Sequence, residues 1–318
     1  MSIGIAEPAP IALFVYKRPE HARRAVASLL ACDGFDESPM YVFADGPKSE
    51  AEGPAVLETR AAMHELLGTR ATYVEQERNR GLAQSIIAGT TELCGRHGKA
   101  IVVEDDLLLA PMFVRFLNEG LVRFQNEPGV MQVAGHIVDV PSLVGHTEAL
   151  FLPMTSSLGW ATWKRAWDLF DPAATGWRER LTGEEAKRFN IGGRYDYARM
   201  LERQMTHGID SWAIRWYYSV FANDGLVLFP PRALAVHTGQ DGTGTHGRLS
   251  RAVQQELTPG GGAFSMPTDV AMSQYTTAVF EAVGSARRLD LWRTVRSLMP
   301  SRHARSSAPE ARKRDASK

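Results

Sequence analysis

The chain has 318 residues, 44% hydrophobic and 23% charged, with 36 basic and 36 acidic side chains and a formal net charge of zero. That balance excludes the basic footprint of a nucleic-acid-binding protein, and no apolar run approaches the length of a transmembrane helix. The size suits one large domain or two small ones around a substantial core.

Met1 to Pro10 has neither a basic n-region nor a long apolar h-region, so no signal peptide is expected and a cytoplasmic protein is. The two cysteines, Cys32 and Cys94, have no metal-ligand spacing. A reduced compartment is the simplest setting, with one disulfide as the alternative. Ile11 to Tyr16 (IALFVY) reads as a buried strand, ended by Lys17-Arg18-Pro19. Proline suits a first helical turn, and Glu20–Ala31 carries Ala22, Ala25, Val26, Leu29 and Leu30 at core-facing spacing. A strand at Tyr41–Ala44 runs into the turn Asp45-Gly46-Pro47. A helix near 50–67, a strand near 71–74 and a helix opened by Asn79-Arg80-Gly81 follow. Lys99–Val103 is the next strand, and a helix is expected over 111–124. This alternation predicts an α/β fold with an open, mostly parallel sheet.

Directly after Lys99–Val103 come three acids, Glu104-Asp105-Asp106. Adjacent carboxylates repel, so three together need a cation, solvent or raised pKa values. On extended backbone Glu104 and Asp106 would point one way and Asp105 the other. One edge could then face a metal and the other a sugar or ribose hydroxyl. Arg18, Asp45 and the acids all follow predicted strands, where ligands bind in open α/β sheets. Each also has an ordinary reading: Arg18 as a surface helix start, Asp45 as turn chemistry, Asn79 as a helix cap and the acids as a solvated loop.

Past the strand Val130–Ala134 the pattern changes. Trp160, Trp163 and Trp167 recur at a spacing that places them on one helical face, as a core stripe or a sugar-stacking platform. Ser211–Asn223 reads as an aromatic helix preceded by Asp210, and Gly225–Pro230 as a strand. The glycine-rich His237–His246 lacks the lysine and helix of a phosphate-binding loop and suits a flexible loop that folds over a ligand. Pro259-Gly260-Gly261-Gly262 marks the end of the core. Residues 285–318 hold ten Lys/Arg and three Asp/Glu, a charge of +7 that leaves −7 on the body. Leu289, Trp292, Val295 and Leu298-Met299 form an apolar stripe beside Arg287, Arg288, Arg293 and Arg296. Such a helix either docks on an anionic membrane, giving peripheral contact, or packs on the protein's own acidic body.

On the segments IVVEDDLLLAP (Ile101–Pro111), LGWATWKRAW (Leu158–Trp167), IDSWAIRW (Ile209–Trp216) and QDGTGTH (Gln240–His246), the chain resembles GT-A-type, nucleotide-sugar-dependent glycosyltransferases. The match is to bacterial transferases of surface-polysaccharide assembly. More distantly, the chain is similar to the Golgi N-acetylglucosaminyltransferase that begins complex N-glycans. The resemblance implies a GT-A domain over 8–258, with a nucleotide-binding half at 8–135 and an acceptor half at 136–258. A linker with a short helix (259–284) and the basic helix and tail (285–318) would follow.

It also implies roles. Arg18 would contact the nucleotide or its phosphates, and Asp45 the base, with Asn79 and Arg80 in the same binding set. Asp106 would hold Mn²⁺ or Mg²⁺, Asp105 the ribose and Glu104 the transferred sugar, with His246 reaching the metal or diphosphate. Gly159, Trp160 and Trp212 would contact substrate. Asp210 is the candidate general base, with Asp196 and Glu202 as alternatives because Ser211 separates Asp210 from the tryptophan. Asp210 beside apolar Trp212 would have the mildly raised pKa that a base favours. The implied reaction moves a sugar, from a UDP-sugar by preference, to a glycan or lipid-linked acceptor with inversion. A sugar nucleotidyltransferase would be expected to carry a glycine- and basic-rich triphosphate loop, which Tyr16-Lys17-Arg18-Pro19 lacks. A non-catalytic carbohydrate-binding protein is the third reading.

Overall fold

Strands β1 (Ile11–Val15), β2 (Met40–Ala44), β3 (Ala71–Glu75) and β4 (Lys99–Glu104) alternate with helices α1 (Pro19–Leu30), α2 (Gly53–Leu67) and α3 (Leu82–His97). The structure, a computed structural model, describes residues 7–207, 209–238, 257 and 264–286. The chain continues through β5 (Leu107–Leu109), α4 (Phe113–Arg123), β6 (Val130–Ala134), β7 (Leu150–Leu152) and β8 (Trp160–Trp163). Four helices follow: α5 (Lys164–Trp167), α6 (Trp177–Arg180), α7 (Gly183–Phe189) and α8 (Tyr197–His207). Then come α9 (Trp212–Ala222), β9 (Leu226–Phe229) and β10 (Ala235–His237), and residues 276–286 are helical.

The sheet order is β3-β2-β1-β4-β8-β6-β9-β7, with β10 and β5 forming a separate antiparallel pair. β3, β2, β1 and β4 pair in parallel. β8 runs antiparallel to both β4 and β6, β9 is parallel to β6, and β7 is antiparallel to β9. Six strands therefore share one direction, and only β8 and β7 are reversed. This is the open, mostly parallel α/β sheet that the strand–helix alternation predicts. β1 and β6 are buried at every residue, the pattern of strands covered on both faces.

Pro19 opens α1 where its missing N–H costs nothing, and Arg18 takes the non-helical position before it. Two buried amides tie loops to the sheet. Asn118 on α4 accepts from Ala9 N through Oδ1 (2.7 Å), and Gln132 on β6 both donates to Ser156 O (2.9 Å) and accepts from Ser156 N (3.2 Å). The apolar core is one continuous cluster running from Ala9 to Val283.

The tryptophan segment differs from its sequence reading. Trp160–Trp163 is a strand, not a helix, so Trp160 and Trp163 do not share a face with Trp167 as a helical stripe would. Trp160 stacks on Trp212 (ring centroids 5.1 Å apart), while Trp167 packs on Trp216 (5.1 Å) and Phe170 (4.7 Å). Trp163 turns away to donate from Nε1 to Leu121 O (2.9 Å). Strand pairing with β4 and β6 overrides the helical period, since β8 has to supply the central antiparallel rung. The basic stripe of 287–299 and the tail behind it lie outside the described residues. Among the described residues no helix is long and apolar enough to cross a membrane.

Candidate functional site

The carboxyl ends of β1, β2 and β4 meet at one edge of the sheet. β4 stops at Glu104, and Asp105-Asp106 form a turn before β5. The alternation expected for extended backbone therefore fails, because the turn brings both aspartates to one cation. Arg18, at the start of α1, donates from Nη2 to Asp105 Oδ1 (2.6 Å) and Asp106 Oδ2 (2.8 Å). Tyr16 N donates to Asp105 Oδ2 (3.3 Å). Arg18 Nη1 is buried without a hydrogen-bond partner. A guanidinium N–H so placed is costly unless an acceptor arrives, and a phosphate oxygen is the acceptor that its geometry suits.

The β5–β10 pair delivers a further group. Its register sets His237 opposite Leu107, the residue after Asp106. His237 Nε2 stands 3.0 Å from Asp106 Oδ2. Thr238 locks the same turn by donating from N (2.8 Å) and Oγ1 (3.0 Å) to Asp106 O. Asp105 and Asp106 are only 4% and 8% exposed, so these carboxylates have little water to spread their charge.

Their acidities diverge accordingly. Burial, then the charges of Asp106 and Asp105, push Glu104 up to about 8. Glu104 accepts no hydrogen bond among the described residues. Burial raises Asp105 to about 6 against the pull of Arg18. Burial works upward on Asp106 too, but the hydrogen bond and charge of His237 and the charge of Arg18 outweigh it, holding Asp106 down to about 2. The corner thus carries one firmly ionised carboxylate and two that ionise reluctantly without added positive charge.

Asp45, just past β2, is saturated from within the chain. Oδ1 accepts from Gly46 N and Arg80 N (both 2.8 Å), and Oδ2 from Asn79 Nδ2 (2.9 Å) and Gly81 N (3.0 Å). Asn79 also donates to Gly46 O (2.9 Å). The loop lies so close that a Cβ on Gly46 would fall 2.5 Å from the Arg78 backbone, which only glycine permits. Asp45 therefore braces the loop ahead of α3, and a nucleotide base could reach its oxygens only by breaking one of these bonds. Beside it is a small crevice of about 50 Å³, lined in part by Phe43, Asp45, Gln76, Arg80 and Ser85. Ser85 Oγ is buried without a hydrogen-bond partner.

The substrate-contact residues expected from sequence lie elsewhere. Trp160 is fully buried and Trp212 only 4% exposed, each ring covered by the other, so neither presents a face to a sugar. Gly159 adopts φ +64°, and a Cβ there would meet the Phe113 ring at 2.7 Å, so its requirement is a packing one. Asp210 is exposed and paired with Arg215 (3.4 Å), not sheltered against Trp212. It does reach the site loop: a Cβ on Gly81 would sit 3.4 Å from Asp210 Oδ2. Asp196 instead accepts from Arg199 N (3.0 Å) at the start of α8, and Glu202 lies on the exposed side of that helix. His246 lies outside the described residues.

Sequence reading placed His237 at the start of a flexible loop, whereas it ends strand β10, and it passed over His136; both fall on this edge, with His136 Nδ1 2.9 Å from Ala235 O. The usable signal for His237 was its place one residue past the apolar pair Ala235-Val236, which a short strand would end. Among the described residues no group of three or more His, Cys, Asp or Glu could hold a metal ion. A cation that takes most of its ligands from substrate phosphates and water needs only one or two protein ligands. Asp106 and His237, in contact at 3.0 Å, are the two residues at this corner that would meet that requirement. Arg18 would have to yield its place on Asp106 Oδ2.

No protein-family model matches the chain. No curated protein matches it either. Among solved structures, it is similar to a mannosyltransferase from Pyrobaculum calidifontis in complex with GDP-mannose and Mn²⁺, at 15% identity and a TM-score of 0.35, over 67% of this chain and 74% of that one. It is also similar to glucosyl-3-phosphoglycerate synthase from Mycobacterium tuberculosis, in complex with Mn²⁺, UDP and glucosyl-3-phosphoglycerate. There the identity is 11% and the TM-score 0.33, over 52% of this chain and 58% of that one.

Proposed function

We propose that the chain is a metal-dependent GT-A-type glycosyltransferase that moves a sugar from a nucleotide-diphospho-sugar to a hydroxyl group. The observation that carries this reading is the convergence of Arg18, Asp105, Asp106 and His237 at the carboxyl ends of parallel strands, with Arg18 Nη1 buried and unpartnered. A UDP-sugar donor, a glycan or lipid-linked acceptor, inversion at the anomeric carbon and a place in bacterial surface-polysaccharide synthesis complete the reading on the strength of the sequence resemblance.

Asp106 and His237 would hold Mn²⁺ or Mg²⁺, which as a Lewis acid would neutralise charge growing on the departing diphosphate. Arg18 Nη1 donates to a diphosphate oxygen. Asp105, in contact with Tyr16 N and Arg18, faces the ribose, and Glu104 the hydroxyls of the transferred sugar. The Asp45-braced loop forms one wall of the nucleotide site, with Ser85 Oγ free to bond the base. In the reaction the acceptor oxygen bonds to the anomeric carbon, the bond from that carbon to the β-phosphate oxygen breaks, and the nucleoside diphosphate leaves. Asp210, at the rim beside Gly81, takes the acceptor proton.

Calorimetric titration with UDP and GDP, with and without Mn²⁺, tests the binding half, and mass-spectrometric screening of nucleotide-sugar hydrolysis tests the chemistry. Metal-dependent binding of one nucleotide and turnover of its sugar are expected. No binding of either nucleotide with Mn²⁺ present would remove the reading.

A further inference from the structure

A second concavity lies at the far end of the same sheet edge. The chain before β7 and the segment at 265–275 enclose a pocket of about 240 Å³. Phe151 pairs with Met272 and Glu148 with Ser265 through isolated bridges, and Ala149 N donates to Ser265 O (2.8 Å), so both walls are fixed to the edge strand. The register fixes the pocket's position. Leu150 stands opposite Phe229 at the carboxyl end of β9, and β9, β6, β8 and β4 align in turn, so the approach to β7 shares an edge with Glu104. Four strand spacings, roughly 19 Å, separate the two.

The lining has a definite chemistry. His146 and Tyr275 set ring centroids 5.1 Å apart, tilted by 59°. Glu148 and Asp269 bring exposed carboxylates, and Gln274 and Ser273 add an amide and a hydroxyl. Among the described residues no lysine or arginine lines the pocket. Two carboxylates with no ion pair among the described residues repel phosphates, which favours a neutral ligand over a second nucleotide or an anionic headgroup. A flat apolar ring beside acceptor-rich groups fits a ligand with one apolar face and an edge of hydroxyl donors.

We propose that this pocket is a carbohydrate subsite that binds a neutral sugar of an extended glycan acceptor. Its assignment to the acceptor rests on the glycosyltransferase reading, whereas its carbohydrate chemistry rests on the pocket alone. A glycan held here and reaching along the sheet edge would bring its other end to the acid corner. The enzyme would then favour acceptors longer than a single sugar.

The test uses the full chain and an array of neutral oligosaccharides, from monosaccharides upward, followed by titration of any that bind. The wild-type chain should bind extended glycans, and Tyr275→Ala and Glu148→Gln should each weaken that binding by about tenfold. Glu148 is exposed, so its substitution keeps the test decisive even if Tyr275→Ala does not fold. Wild-type affinity in folded Glu148→Gln and Tyr275→Ala overturns the subsite. So does the absence of glycan binding in a wild-type chain that still binds nucleotide with Mn²⁺, and that outcome leaves the transferase reading standing. Pocket-dependent glycan binding without any nucleotide binding upholds the subsite and removes the transferase reading instead.

Discussion

At the carboxyl ends of β1 and β4, charged side chains crowd together with few partners to spare. Arg18 serves two aspartates at once and keeps one N–H unpaired. Around β8 and α9, aromatic rings crowd just as densely, and Trp160, Trp167, Trp212 and Trp216 cover one another's apolar faces by contact. Both regions are dense clusters of one residue class. They differ in what remains unmet. Packed rings gain apolar contact from every neighbour, enough to carry the buried, unpartnered Nε1 groups of Trp160 and Trp216, whereas like charges in a low-dielectric corner lose with each addition until a cation or ligand arrives. A cluster that packing can complete is core, and one that packing makes worse is a site.

Removing one member of each cluster should sharpen that contrast. Asp106→Ala takes away the firmly ionised carboxylate and its link to His237. It should abolish metal-dependent donor turnover while the purified protein keeps its circular dichroism and cooperative melting. Full turnover with metal still required would break the assignment. Trp160→Ala acts oppositely, deleting a fully buried ring at a cost of about 3–5 kcal/mol in unfolding free energy. Urea denaturation measures it, and a change below about 1 kcal/mol would mean that the ring is not the core element described.

How far these regions were legible follows from the same physics. The parallel half was readable because buried strands and amphipathic helices announce themselves by period, and Arg18 and the acids by their place just after strands. The crowding of the acids was readable as well, but the geometry of the corner was not. Nothing local in Glu104-Asp105-Asp106 says that a turn will aim both aspartates at Arg18. Nor does Asp45 disclose that the Asn79–Gly81 loop will fill both its oxygens. The Trp160–Trp167 spacing misled because strand pairing with β4, a contact across some sixty residues, decides the conformation of β8. His237 was hidden in a three-residue strand that exists only by pairing with β5.

The corner's unmet charge has a pH signature in the metal-free protein. Glu104 rises from 4.5 to about 8 on folding and Asp105 from 3.8 to about 6. The folded state therefore binds more protons, and their contribution to stability is lost as pH rises through the window from about 4 to 8. Asp106, lowered to about 2, works the other way, but its contribution is already complete above pH 4. With chelator present, melting temperature should fall between pH 5 and 8, and Mn²⁺ should restore it most at pH 8. Glu104→Gln should flatten the slope. An equal slope in that variant would detach the effect from this corner.

The smallest expected effect concerns Asp45, which has the corner's charge but the core's completeness. Its four donors all come from the chain, so it is completed from within, as a core group is. Asp45→Asn keeps the shape but turns one oxygen into an N–H₂ group. Whichever way the amide sits, two donors then face it, Gly46 N and Arg80 N on one side or Asn79 Nδ2 and Gly81 N on the other. Two unsatisfied contacts in a buried loop cost about 1–3 kcal/mol. Nucleotide affinity should drop only as far as the loop loosens, and added Mn²⁺ should not rescue it. A variant with wild-type stability but no nucleotide binding would place Asp45 among the groups that touch the base, on the acid side of the comparison.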